Sequence, residues 1–159
     1  MTTVLGVALG TWLLLVAAVA APLAAVLLAV GYVADDWPFE RLTRAAAGAT
    51  TVSLAAALVY LTGQFLTTDY TNAYVWDNTA NYLPLLYKVT GVYAANEGSI
   101  LLWALLTAVV ATWTVFADRF AVEGARLVQS LSMGVVAVFA AMLATDSPFT
   151  PLSVAYPEV

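Results

Sequence analysis

The chain has 159 residues, of which 63% are hydrophobic and 9% charged, with 5 Lys+Arg against 10 Asp+Glu for a net charge of −5. Soluble domains carry about 25% charged residues, so a chain this apolar lacks the polar surface to cover itself in water, and its mean hydropathy of +0.90 agrees. A soluble globular domain, a disordered chain and a nucleic-acid binder are excluded. The sequence has no His and no Cys, which removes disulfides, thiolate nucleophiles, Cys/His metal sites and imidazole bases or heme ligands.

Four apolar stretches follow in chain order: Val4–Val33, Ala45–Leu66, Gly98–Ala117 and Leu127–Ala144. Each reaches or approaches the ~30 Å hydrocarbon core at about 1.5 Å per residue. Backbone groups in lipid must be satisfied internally, so the stretches read as helices. The fold class is an all-α membrane protein with four transmembrane helices in one membrane domain. The first span contains Pro22, which predicts a tilted or kinked helix. It has no basic n-region and is about twice the 7–15 residues of a signal-peptide core, so it reads as a retained helix.

Arg41 and Arg44 follow the first span, and Arg119 and Arg126 follow the third. The termini carry no basic residue, and the middle segment Thr67–Glu97 carries only Lys88. The positive-inside rule then places the two short connections in the cytoplasm, and the N-terminus and middle segment outside the cell membrane. The inner connections pair four basic residues with Asp35, Asp36, Glu40, Asp118 and Glu123, net −1; the outer parts pair Lys88 with Asp69, Asp77, Glu97, Asp146 and Glu158, net −4. This spread acidity reads as adaptation to high salt ahead of a patterned site for a basic partner.

No span contains Asp, Glu, Lys, Arg or His, which argues against proton pumping, antiport or voltage sensing. Gln64, Gln129 and scattered Ser and Thr are read as interhelical hydrogen-bonding groups. Gly6 with Gly10, Ser130 with Gly134, and Ala45, Gly48 and Ala49 mark close-packing faces.

The middle segment holds Tyr70, Tyr74, Trp76, Tyr82, Tyr87 and Tyr93, as an interfacial aromatic belt would. Asp69–Trp76 favours extended backbone, and 77–81 has turn chemistry. Pro84 at a first helical position predicts a short amphipathic helix lying along the membrane, with Leu83, Leu86, Tyr87 and Thr90 on one face. Asn96 reads as the N-cap of the third span, and Glu97 as its dipole partner. Capping is the favoured role of Glu97 over contact with a partner or substrate.

Three motifs stand in order here. They are Asp69-Tyr-Thr-x-x-Tyr74-Val75, Asn78-Thr-x-Asn81-x-Leu83-Pro84-x-x-Tyr87-Lys88, and Glu97-Gly98-Ser99-Ile-Leu-Leu-Trp103, followed after the fourth span by Ser147-Pro148-Phe149. Together they resemble the N-terminal part of the CcmF family, the heme lyases of cytochrome c maturation. The resemblance covers essentially the whole chain but only the beginning of the family's longer protein, so the N-terminal piece of a longer or split protein is expected. It implies cytochrome c-type biogenesis, with heme attached to apocytochrome c on the outer face through thioethers between heme vinyl groups and Cys thiols. Implied partners are the remainder of the heme lyase, a heme chaperone, apocytochrome c and the lipid membrane. The implied cofactor is heme, not ligated by this chain.

Asn96 stands where the family usually has His or Gln, and the family's tryptophan-rich motif and heme-ligating histidines are absent. No catalytic, cofactor-binding or metal residue is therefore assigned, and the chain is not expected to be catalytic alone. The resemblance instead marks Asp69, Tyr74, Asn81, Pro84, Tyr87, Lys88, Glu97, Gly98, Ser99 and Trp103. The competing reading is a non-catalytic helical scaffold subunit of a multisubunit membrane transporter or respiratory complex.

Overall fold

A computed structural model describes residues 2–34, 38–117 and 124–152, with side chains from Leu9 onward. Asp35, Asp36, Asp118, Arg119, Glu123 and Glu158, and the surroundings of Gly6, lie outside what is described. Six helices follow in order: α1 Thr2–Val33, α2 Glu40–Thr67, α3 Ala73–Asn78, α4 Leu85–Gly91, α5 Asn96–Phe116 and α6 Ala125–Thr145. Helices α1, α2, α5 and α6 are long and apolar enough to cross a membrane. The chain is a multi-pass membrane protein.

The four long helices close a ring: α1 packs on α2 and α6, and α5 packs on the same two. Neighbours run antiparallel, because Thr51 meets Ala108 where Thr112 meets Ala47 across α2 and α5, and Ser130 meets Ala25 where Arg126 meets Gly31 across α6 and α1. Inside the ring the buried residues are Leu and many small Ala, among them Ala17, Ala21, Ala57, Ala104, Ala108 and Ala140. Lipid tails are as apolar as Leu, so burial alone drives helices together weakly; close approach and polar contacts decide the packing. The Thr51 hydroxyl lies 2.7 Å from that of Thr112 and donates to Ala108 O at 3.1 Å, and Thr112 donates to Ala47 O at 3.0 Å. Gln129 Nε2 donates to Thr114 O at 2.7 Å, joining α6 to α5.

The helices run past the apolar stretches, which brings Glu40, Arg41, Arg44, Glu97 and Arg126 into their first turns. Helical hydrogen bonding does not end where hydrocarbon does, and Glu40, Arg44 and Arg126 find partners at the ends. Arg44 pairs with Glu40 at 2.7 Å and its guanidinium lies 5.9 Å from the Phe116 ring centre. Arg126 donates to Gly31 O at 2.5 Å, satisfying a carbonyl that the end of α1 leaves open. Arg44 and Arg126 therefore sit at one end of the bundle and Lys88 at the other. Helix α1 continues through Pro22 as one helix.

Two local expectations fail. Asp69–Trp76 is not extended throughout. Backbone pairing is confined to an isolated antiparallel bridge between Asn72 and Pro151, and Asn72 then caps α3. Pro84 is the N-cap of α4, not its first helical residue.

Replacing Thr112 by Val removes the hydroxyl that joins α2 and α5 while keeping the side-chain shape. A loss of about 0.6–2 kcal/mol in bundle stability is expected, read as an earlier midpoint in denaturant titration of the micelle-bound protein.

Candidate functional site

The segment between α2 and α5 is organised at the end of α2. That helix stops at Thr68, a β-branched residue at φ 50° in the left-handed region, which such residues rarely occupy. Local bonds hold it there: Thr68 N and Asp69 N donate to Phe65 O and Gln64 O, and the Thr68 hydroxyl donates to Asn81 Oδ1 at 2.5 Å. Asp69 Oδ1 then accepts from the Thr71 hydroxyl at 2.6 Å and from Thr71 N at 3.2 Å. This side-chain turn delivers the chain to Asn72.

Asn72 is fully buried. Its Nδ2 donates to Gln64 Oε1 at 3.0 Å and to Pro148 O at 2.9 Å, and its Oδ1 accepts from Tyr74 N at 2.9 Å. Backbone bonds flank it on both sides: Ala73 N to Thr150 O, and Leu152 N to Thr71 O, each 2.9 Å. One amide thus binds the end of a span, the start of α3 and the segment after α6. Between the bridge and α6, Phe149 turns inward against Gly10 of α1, where any Cβ would overlap its ring, and lies 5.9 Å from the Tyr60 ring. Gly10 therefore accommodates an aromatic ring from the segment after α6.

Tyr74 is the second anchor. Its ring packs edge-on against Phe65 at 5.6 Å. Its hydroxyl donates to Val92 O at 3.0 Å and accepts from Gly98 N at 3.2 Å. Gly98 N–H is one of the donors that the first turn of α5 leaves open. The cap expected from Asn96 is therefore supplied by Tyr74. The N-cap position is Ala95, and no side chain of α5 caps it. Gly98 must lack a side chain, because a Cβ there would collide with Val92 O. Burial, the largest influence, lifts the Tyr74 phenol above the ordinary tyrosine range; Glu97 adds to the rise, and the Gly98 and Ala95 backbone groups oppose it.

Of the ten residues the motifs mark, the structure joins Tyr74 and Gly98 directly and ties Asp69 and Asn81 to the same α2 terminus. Glu97 and Ser99 lie half-buried in the first turn of α5. Pro84, Tyr87 and Lys88 belong to α4, apart from this cluster, and Trp103 is 62% exposed on α5. Sequence reading missed Asn72, the partner of Gly10, and the true role of Gln64, which joins the segment after α2 and not another span. The available signal was an Asn two residues before a marked Tyr, an N-cap pattern.

No family model matches the chain. Among curated proteins it is 32% identical to the cytochrome c-type biogenesis protein CycK of Rhizobium meliloti (strain 1021) over 152 residues, 91% of this chain and 22% of the relative. It is 34% identical to CcmF of Escherichia coli (strain K12) over 104 residues, 62% of this chain and 16% of that one. A solved structure of the cytochrome c heme lyase CcmF superimposes with a TM-score of 0.83 at 29% identity, covering 95% of this chain and 26% of that one. The chain belongs to the CcmF family. It spans about a fifth of the length of these curated CcmF-family relatives.

Asn72→Ala would leave Gln64 Oε1, Pro148 O and Tyr74 N without their partner, at about 1–3 kcal/mol for each buried group. A lowered unfolding midpoint and new protease cleavage near 147–152 are the expected readings. Gly98→Ala is expected to cost about 1–3 kcal/mol through overpacking, measured the same way. Because the folded pKa of Tyr74 is raised, its contribution is complete below the unfolded value of about 10 and is lost as pH rises through the folded value. Tyr74→Phe should abolish that part of the alkaline loss of stability.

Proposed function

We propose that the chain acts in cytochrome c maturation as a membrane component of the heme lyase, on the outer side of the cell membrane. The similarity along 91% of the chain to a cytochrome c-type biogenesis protein carries this reading. The match to a solved heme lyase over 95% of the chain supports it. The four helices supply a scaffold, and the segment from Thr67 to Glu97 supplies a polar, aromatic-rich wall against which a heme chaperone, apocytochrome c or the remainder of the lyase docks. The wall is held by Asn72, Tyr74 and the 147–152 segment, so it is a built surface and not a loose loop. Positioning of reactants is what such a wall contributes to thioether formation.

Heme is cargo in this reading, and this chain offers its iron no His or Cys ligand; Met and Tyr are the axial donor types it contains. With no His or Cys, the sulfur donors left are Met1, Met133 and Met142. Met133 is sealed in the core between helices, and Met142 faces outward from α6. Among the described residues, no group of three or more Asp, Glu, His or Cys could hold a metal. The site assignment rests on docking and positioning: Asp69, Tyr74, Asn81, Gly98 and Ser99 shape the wall, and Glu97 is a half-buried carboxylate at its edge.

The topology that goes with this reading has the N-terminus and outer segment outside. A Cys at position 78 should react with an impermeant thiol reagent in intact cells, and one at position 125 should react only after permeabilisation. The reverse pattern inverts the topology. For the function, Glu97→Gln is compared with Gly98→Ala in a reconstituted maturation system, measuring membrane abundance and holocytochrome yield. Glu97→Gln should lower yield at normal abundance, while Gly98→Ala should lower both. Unchanged yield with Glu97→Gln would remove Glu97 from the docking surface.

A further inference from the structure

The exposed residues of α4 do not follow one helix face. Leu85, Leu86 and Tyr87 are consecutive and 61–70% exposed, and Tyr82 just before them is 88% exposed. By contrast Gly91, at the other end of the helix, is buried. The amphipathic face expected from Leu83, Leu86, Tyr87 and Thr90 is replaced by an apolar tip at the start of the helix and a packed end. Leu83 and Thr90 are only half-exposed.

Both ends of this stretch are fastened to the last turn of α2. Asn81 accepts from Thr68, and Gly91 passes against Asn78 O and the Phe65 ring. The tip therefore cannot stand far from the end of that span. Helix α2 has 28 residues, about 42 Å at 1.5 Å per residue, against a hydrocarbon core of ~30 Å. Its last turn reaches headgroup depth, where Tyr is favoured and where Lys88, the one basic residue of the segment, suits lipid phosphates. Leu66, 41% exposed in that same turn, continues the apolar surface toward the spans.

We infer that the α4 tip formed by Tyr82, Leu85, Leu86 and Tyr87 is a lipid-seating surface, inserted at the headgroup–acyl boundary of the leaflet on its side. A cluster of this kind turned to water would be an association liability. Seated in lipid, it props the outer segment against the bilayer while the polar wall on α3 and the start of α5 stays free.

The chain has no Cys, so single labels are simple to place. Leu86→Cys, Tyr82→Cys and the exposed polar control Asp77→Cys are each labelled with bimane in the full chain, reconstituted in phosphatidylcholine vesicles. Quenching by lipids bearing a shallow nitroxide is compared with quenching by aqueous iodide. At Leu86 and Tyr82 the lipid quencher should win several-fold, and at Asp77 iodide should win. Iodide quenching at Leu86 and Tyr82 equal to that at Asp77 overturns the inference in favour of water. Protection from both quenchers overturns it in favour of a protein contact, a second copy included. None of these outcomes depends on holocytochrome yield, so the result stands apart from the test of the proposed function.

Discussion

A single buried amide fixes how the two halves of this molecule meet. Asn72 offers two donors and an acceptor in a fully buried place, and each is used: Gln64 and Pro148 take the hydrogens, and Tyr74 N supplies one. An unmade bond here costs more than a made one contributes, so the arrangement is selective as well as stabilising. Shift the segment after α6 by one residue, and Pro148 O no longer faces Asn72 while Phe149 no longer faces Gly10. The bridge at Pro151 then fails too. These contacts support one register and oppose its neighbours, which is how local and distant choices become consistent.

The same economy recurs wherever helices touch. Between α2 and α5, two threonines and two carbonyls interlock; between α6 and α1, Ser130 reaches Ala25 O at 2.8 Å. Each hydroxyl needs a close backbone opposite, and the alanine-rich interior provides it. Gly98 and Gly10 take the logic furthest, since each leaves room for a group where a methyl would not fit. At Gly98 the visitor is the Val92 carbonyl, which also receives the Tyr74 hydroxyl. Tyr74 thereby joins the end of the α4 region to the start of α5 through one oxygen.

Much of this was legible from residue types alone. Four charge-free runs specify four spans, because lipid leaves the backbone no alternative. Ser130 and Gln129 behave as interhelical groups for the same reason. The misses share a physical cause. Asn96 is a good cap by propensity, yet a phenol far along the chain reaches Gly98 N–H instead. Propensity counts only local partners. Likewise Asp69–Trp76 has strand-forming residues, but among the described residues no neighbouring strand pairs with it beyond the single bridge. Asn72 then turns the chain into α3. Gln64 was assigned to helix contacts by its place in the sequence; only the fold reveals that the chain doubles back over it.

The distribution of polarity also constrains chemistry. Asp, Glu, Lys and Arg side chains occur at helix ends and in the segments between and after the spans, none of them in the central turns of a span. Such groups inside a membrane are what proton relays and ion sites use. What remains is geometry: a closed ring of helices, a turn at Thr68 held against its preference, and two anchors that set the height and angle of the wall above it. Tyr74 and Gly98, both marked by the resemblance, touch each other across 24 residues and are both buried.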